Sequence, residues 1–565
     1  MHVSCLTICA VISLSSQLAS SNAENQLGFN RNNQSEKTST RKRVAVIGAG
    51  LAGATAAYYL RDSIREFEDI DITIFESSQQ IGGRFKSVKY RGRTIEIGAP
   101  ATSTHDWCFL RAMRDVGLAP KEPDWEWKFH RKRTVGVWNG EGFVNTGPHE
   151  PQCSTWWELM RMVWRDGRTV WLLRKVSPPV WMEIGKMMWK YGLSPWKFHR
   201  VVSLDLKAWD NFGADLYPWQ RHTFVSLTSE LEKAGLPGQA LGSAGSYFRS
   251  LNLSTAFLDE VIEPYARARF GQNLDDVRGI AAEIAYREFF SRGMAVSDGN
   301  ARLVDRLITL SKADLNLNSR IKEIRNGHSK RYNLVAEPSS PETTVVEQWE
   351  EFDAVVIATP LQLSGIVFGG SLNIKQRQEL RPPFLERHIT HFASEHYPSP
   401  NFFNLSSKTC LPNSILTTAN NPHIPDIFSI DSIDSLIRID RTGCSPPSAS
   451  RPGDPDDCDT VIHEGIFRII SSDTIHNQTL FKMIGCPSDC QLPFLHRQAW
   501  PFITPAYVGR LFPTDDVELA PSLYYTGGGD DILSSLEMNC RMGFNVGVKA
   551  FLDLDEAQRK ETWGS

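Results

Sequence analysis

The stretch Arg43–Asp62, RVAVIGAGLAGATAAYYLRD, decides the fold of this 565-residue chain. A basic start runs into a continuous apolar segment, the pattern of a parallel strand buried on both faces. Gly48, Gly50 and Gly53 then fall as G-x-G-x-x-G, and an Ala-rich stretch continues as a helix. Each glycine has a separate physical reason: Gly48 permits the tight turn, Gly50 lets backbone amides approach a pyrophosphate, and Gly53 lets helix and strand pack closely. The helix N-terminus then faces the phosphates. A second strand, DITIFE, ends at Glu76, at the spacing expected of the acid that holds ribose hydroxyls. A carboxylate there repels a 2′-phosphate, and no Arg follows at Ser77 or Ser78, so NADP is disfavoured and FAD or NAD remain.

The next residues separate those two. Gly82, Gly83 and Arg84 in ESSQQIGGRFKSV, followed by Gly98 and Ala99 in RTIEIGAPA, resemble the glutathione-reductase-type FAD proteins of the amine oxidase branch. There a Gly-Gly-Arg turn wraps a second strip of the cofactor; the competing reading is an ordinary Gly-Gly hairpin with a solvated Arg. YNLVAE and FDAVVIATP read as sheet strands, the latter similar to the strand that returns the chain to the FAD domain. SLYYTGGGDDILSSLEMNCRMGFNVGVKAF gives a strand, a turn at Gly527, Gly528 and Gly529, and a long helical pattern. The resemblance puts that turn against the flavin, where a helix N-terminus can stabilise negative charge on the reduced ring. No second G-x-G-x-x-G occurs, which favours an oxidase whose electrons come from substrate and pass to O2.

Composition excludes several classes. At 41% hydrophobic and 22% charged the chain is an ordinary globular protein, and a net charge of −4 gives no reason to expect nucleic acid as a partner. An apolar run from Val3 to Leu14, with Ser21 and Ala23 placed for cleavage, reads as a signal peptide, although its start lacks Lys and Arg; a non-targeting tail is the alternative. Sequons at Asn33, Asn252, Asn404 and Asn477 agree with a secretory route ending in lysosome, vacuole or medium. Outside the leader there are eight cysteines: Cys108, Cys153, Cys410, Cys444, Cys458, Cys486, Cys490 and Cys540. The cluster from Cys444 to Cys490 is expected to hold one or two loop-closing disulfides, with a zinc site as the rival.

Between Asp124 and Gln220 lie twelve of the 16 tryptophans. Three readings stand side by side: a helical subdomain filling its own core, an apolar channel walled by Trp157, Trp164, Met187 and Met188, and a basic, Trp-rich face in peripheral contact with a membrane. In RHITHFASEHYP, Arg387, His388, His391 and His396 read as the surface-facing polar side of a strand or its edge, with a catalytic histidine as the alternative. No triad, paired-carboxylate or metal-ligand motif stands out, and no catalytic residue is assigned.

The order of these pieces, with LDEVIEPYARARFGQN (Leu258–Asn273) and LYYTGGGDDILSSLEM, resembles the prenylcysteine oxidase, or prenylcysteine lyase, family from about Arg43 to Phe551. The resemblance implies an α/β fold with a Rossmann-like FAD-binding domain built from discontinuous segments and a mixed α+β substrate domain. It divides the chain into a leader (1–23), a linker (24–42), a first FAD-binding part (43–124) and a Trp-rich helical cap (125–250). An FAD-domain return (251–365), a Cys-bearing substrate domain (366–515) and a terminal FAD strand and helix (516–555) follow. It implies cleavage of an S-prenyl-cysteine thioether, with O2 and water, to a prenyl aldehyde, cysteine and hydrogen peroxide. The rivals are the same scaffold oxidising another apolar metabolite, a terpenoid, polyketide or amine, and a non-catalytic prenyl-binding escort. The long Trp-rich segment, the acidic GGGDD turn and the insert at 444–458 depart from the family pattern and bear on the substrate.

Overall fold

A computed structural model of the chain describes residues 41–63, 70–98, 102–121, 135–146, 185–212 apart from 186, 222–328 apart from 292 and 297, 331–337, 348–374 apart from 371 and 373, 384–419 apart from 408 and 410, 426–440, 460–505 apart from 488 and 489, and 516–563. The leader, Ala99, Cys153, Cys410, Cys444, Cys458 and most of the Trp-rich stretch, including Trp157 and Trp164, lie outside the described residues.

In chain order, strands β1 (Lys42–Ile47) and β2 (Ile70–Phe75) flank helix α1 (Leu51–Ser63), and helix α2 (Trp107–Asp115) and the hairpin β3 (Val135–Trp138) and β4 (Phe143–Thr146) follow. Helices α3 (Ser194–Asn211), α4 (Glu263–Phe270) and α5 (Gly279–Phe290) precede β5 (Asp314–Asn316) and β6 (Ala354–Ile357). Then come β7 (Phe384–Ser394), β8 (Ser414–Thr417), β9 (Ile427–Asp440), β10 (Thr460–Ser471) and β11 (Phe494–Pro505). The last elements are β12 (Glu518–Ala520), β13 (Leu523–Tyr525) and the long helix α6 (Leu536–Trp563).

The first sheet has the order β5-β2-β1-β6-β13-β12. Every neighbouring pair in it is parallel except β12 with β13. Val44, Ala45 and Val46 of β1 and Val355, Val356 and Ile357 of β6 are fully buried, which explains the unbroken apolar runs: helix α1 covers one face and a small four-stranded sheet between residues 321 and 369 the other. The second sheet, β11-β7-β10-β9-β8-β3-β4, is antiparallel except where β3 lies beside β8. The hairpin β3–β4 falls inside the stretch expected to be helical. Its Asn139-Gly140 turn, with Gly140 at φ +101°, is a hairpin signal that the tryptophan count obscured.

Helix α6 ties the two ends of the chain together. Its Gly543 and Gly547, one turn apart, sit directly on helix α1: a Cβ on them would lie 2.3 Å from the Ala52 carbonyl oxygen and 2.4 Å from that of Ala56. One turn earlier, Cys540 is bonded to Cys108 of α2 across 432 residues. The carboxylate of Glu537 accepts from the backbone amides of Cys108 (3.1 Å) and Phe109 (3.0 Å), capping α2 from a distant part of the sequence. Arg541 donates back to Glu537 at 2.6 Å, so the buried acid is neutralised in place. Where one or two disulfides were expected in the Cys444–Cys490 cluster, the described residues show Cys486–Cys490, with Cys108–Cys540 elsewhere. His396, Cys486 and Cys490 lie close enough to hold a metal, but the disulfide removes both thiolates the zinc reading needed.

Candidate functional site

Three segments far apart in sequence meet at the carboxyl ends of the parallel strands, where ligands bind in open α/β sheets. The Gly48 amide donates to Phe75 O (2.7 Å), Ala358 N to Ile47 O (2.8 Å) and Thr526 N to Ile357 O (3.0 Å), fixing the turns after β1, β2, β6 and β13 side by side. Above them opens a cavity of about 600 Å³, within the usual range of cofactor and substrate pockets.

The glycine turn has the geometry its spacing calls for. Gly48 has φ +109° and would put a Cβ 3.0 Å from Ala358 O. A Cβ on Gly53 would meet Gly48 O at 2.0 Å, so helix α1 can sit against the turn only with hydrogen there. Around the position of a Cβ on Gly50, by contrast, there is nothing within 4 Å, and Gly50 lines the cavity. Its space is open on the ligand side, at the start of a helix whose first amides face the cavity.

Glu76 is buried at the end of β2. Its Oε1 accepts from the Ser78 amide (2.9 Å) and hydroxyl (2.8 Å), while Oε2 accepts from the Ala49 amide (2.8 Å) and retains a lone pair for a ligand hydroxyl. Gly82 (φ +110°) and Gly83 (φ +58°) turn the chain beside it, and Gly82 N donates to Ala49 O at 2.9 Å. Gly82, Gly83, Arg84 and Gly98 all line the cavity, as does Gly527. Gly528 is buried inside its turn and is not among the lining residues. The open space at Gly50 and the remaining acceptor on Glu76 fit the pyrophosphate and ribose of a dinucleotide.

Arg84 is not a solvated end of a hairpin. Its guanidinium reaches Asp530 (3.0 Å), Ser534 Oγ (2.8 Å) and Asn539 Oδ1 (3.0 Å). The acid in GGGDD that departs from the family pattern is therefore the counter-charge that locks the first nucleotide segment to the start of α6. Ser534, Ser535, Leu536 and Asn539 line the cavity too, although the sequence reading stopped at the glycines. Their signal was present as the helix start SSLEMN, where the Ser535 hydroxyl accepts from Met538 N at 3.1 Å.

The opposite wall is made by α4, α5 and the second sheet. Tyr265, Ala268, Phe270, Ala285 and Phe289 give it an apolar side, joined by Ile389, Ile470 and Trp500. The ARFGQN stretch earns its prominence here: α4 ends at Gly271 with φ +62°, and the Gly271 carbonyl accepts from Arg387 Nε at 2.8 Å. A Cβ at Gly271 would sit 2.6 Å from that nitrogen, so glycine is needed for both the turn and the approach of β7. Glu288, also in the wall, is held at 2.9 Å by Arg269; burial pushes its carboxyl up although the guanidinium pulls it down.

The histidine strand requires a correction. His391 was read as facing solvent, yet it is 1% exposed and neither ring nitrogen has a hydrogen-bond partner. Burial, with Arg468 and His496 nearby, pushes its pKa down to about 3. Arg387, Ile389 and His391 share one face of β7, and His388 and His391 lie on opposite faces, so the polar residues do not form one solvent side; both sides of this interior strand are covered from Ile389 onward. Met187 packs against the main core and Met188 is exposed, so neither forms part of the cavity wall.

Comparison with known proteins agrees with this geometry. The prenylcysteine lyase family model matches residues 174–561, and a model of the NAD(P)-binding Rossmann-like domain matches 46–113. The chain belongs to the prenylcysteine lyase family. Among relatives of this family, prenylcysteine oxidase 1 of Bos taurus is 24% identical over 90% of this chain and 88% of its own. Farnesylcysteine lyase of Arabidopsis thaliana is 23% identical over 69% and 70%. Of solved structures, a putative protoporphyrinogen oxidase from Exiguobacterium superposes with TM-score 0.53 at 15% identity, covering 91% of this chain and 99% of the other. A putrescine oxidase variant gives 0.52 at 14%, covering 92% and 99%. These structural likenesses speak for the fold.

Proposed function

We propose that this member of the prenylcysteine lyase family is an FAD-dependent thioether oxidase that cleaves S-prenyl-L-cysteine with O2 and water into a prenyl aldehyde, cysteine and hydrogen peroxide. The observation that carries it is a single cavity whose one end is the glycine turn with Glu76 and whose other is the apolar wall of Tyr265, Phe270 and Phe289. Bound FAD supplies the two-electron acceptor for the carbon beside sulfur. The chain's own residues have a positioning task. Glu76 and the amides around Gly50 hold the nucleotide, Arg84 with Asp530 fixes the two halves of its site, and the aromatic wall excludes water from the prenyl chain. Burial of a ~15-carbon chain at about 0.8 kcal/mol per methylene offers on the order of 10 kcal/mol as an upper bound, so the wall can supply most of the affinity.

The test is an anaerobic absorbance spectrum before and after farnesylcysteine. Bleaching of an oxidised-flavin band, with peroxide on re-aeration, is expected; an unchanged band would remove the thioether, and a colourless protein the flavin. In the same assay Glu76→Arg should lose most of its flavin, because a charged hydrogen bond of roughly 1.5–3 kcal/mol is lost and bulk enters the ribose site. Full occupancy in that variant would show that Glu76 holds no ribose.

The same proposal places the enzyme in the secretory pathway, in an acidic lysosome or vacuole or outside the cell. It is supported by two disulfides and by the exposure of Asn252, Asn404 and Asn477. A mobility shift on glycosidase treatment is expected, and its absence on protein from a eukaryotic host would count against this route. Among the described residues no helix is long and apolar enough to cross a membrane.

Acid tolerance should accompany that location. Burial pushes the Glu96 carboxyl up to about 7, although the Asn300 amide donates to it at 2.8 Å, and burial also raises Asp205, Glu263 and Glu283. A carboxyl whose folded pKa is raised binds protons more tightly when folded, so its contribution is complete below about 4.5 and is lost as pH rises through about 7. The melting temperature should be higher at pH 5 than at pH 8, and Glu96→Gln should recover on the order of 2–3 kcal/mol at pH 8. A Glu96→Gln protein with an unaltered pH profile would show that this group does not titrate in the range.

A further inference from the structure

Across the cavity-facing side of the second sheet runs a row of polar side chains in direct register: His496 on β11, His391 on β7, Arg468 on β10 and Asp431 on β9. Arg468 and Asp431 line the cavity. Their charges meet at 3.0 Å, and the Ser429 hydroxyl donates to the same Asp431 oxygen at 3.0 Å. Asp431 has a side chain only 4% exposed, and Arg468 21%. The Arg468 Nε is buried without a hydrogen-bond partner, and its other cross-strand neighbour, His391, is neutral and likewise unpartnered. A buried ion pair compensates for its desolvation only when its remaining donors are satisfied. This one leaves a donor of the guanidinium fork unmet at the wall of a cavity.

Resting on the prenylcysteine reading, we propose that Arg468 and Asp431 form the subsite for the α-amino-acid end of the substrate, with Arg468 taking the carboxylate and Asp431 the ammonium. The pair is a fixed dipole with no net charge. An amino-acid zwitterion laid antiparallel to it matches both charges and buries none unmatched, and the planar guanidinium offers the fork geometry a carboxylate prefers. A ligand with only one of the two charges leaves the other partner facing an uncompensated group, which is the condition for strong rejection. The apolar wall beyond the pair then receives the prenyl chain. Arg468 and Asp431 act as specificity residues, set by the sheet register and independent of the nucleotide turn.

The experiment compares S-farnesyl-L-cysteine with its methyl ester and its N-acetyl derivative, reading both flavin reduction and binding by calorimetry. Wild-type protein is expected to lose at least tenfold in kcat/KM with either blocked ligand. Arg468→Met should lose ten- to a hundredfold with farnesylcysteine and little more with the ester, which already lacks the group Arg468 binds. Asp431→Asn should show the converse pattern with the N-acetyl ligand, and Arg468→Lys, which keeps the charge and the sheet, should recover part of the loss. If wild type handles all three ligands equally, or Arg468→Met slows them all alike, the pair only braces the sheet and the proposal is overturned. If farnesylcysteine binds in an Arg468-dependent way without reducing the flavin, the oxidase reading falls and the subsite stands. If it neither binds nor reduces, both fall.

Discussion

Gly543→Ala should destabilise the protein by about 3 kcal/mol or more and strip it of flavin, the upper end of what overpacking costs. The added methyl would lie 2.3 Å from Ala52 O, a backbone atom that can move only if helix α1 moves. Helix α1 carries the glycine turn at its N-terminus, so a displacement there is transmitted to the nucleotide site. Gly547→Ala, one turn on and 2.4 Å from Ala56 O, should behave in the same way. Gly142→Ala is the control: nothing lies within 4 Å of its Cβ position, and its effect should stay within about 0.5 kcal/mol. Thermal unfolding and the flavin-to-protein absorbance ratio read the outcome. A Gly543→Ala protein that melts with the wild type and stays yellow would mean the helices are not in backbone contact.

Loss of the Cys108–Cys540 bond should cost about 2–5 kcal/mol, the usual penalty for removing a native disulfide. The bond closes a loop of 432 residues, for which the chain-entropy model gives about 6 kcal/mol as an upper figure. Part of the docking survives without it, because Glu537 still caps α2 and pairs with Arg541. Cys108→Ser should therefore fold but melt early, and wild-type protein in strong reductant should approach the same curve. Quantitative alkylation of Cys108 in native, unreduced protein would show that the bond does not form. Expression in a reducing compartment is expected to give the weakened form, which links this bond to the secretory route proposed above.

The nucleotide half of the site was legible because its physics is local. A tight turn, a close approach and an acid at a strand end each demand a residue type at a fixed offset, and Gly48, Gly50, Gly53 and Glu76 satisfy them within one βαβ unit. Of the second sheet only β7 was legible as a strand, and its environment was misread. Alternation tells which residues share a face: in RHITHFASEHYP it puts Arg387, Ile389 and His391 on one side and His388 on the other, so the polar residues there could not all face solvent together. It cannot tell that both faces are covered, which depends on α4 and the nucleotide domain packing from elsewhere.

What the sequence by itself determined is the dinucleotide turn, the parallel strands that carry it and the family. The tertiary structure alone decided which distant groups meet: Gly543 with Ala52, Cys108 with Cys540, Glu537 with the N-terminus of α2, and Arg468 with Asp431 against the cavity. These pairings leave no spacing rule in the chain, because the separation between partners is set by the path of the fold. A glycine in a long helix or an arginine on a strand reads as unremarkable until the surface it touches is in place.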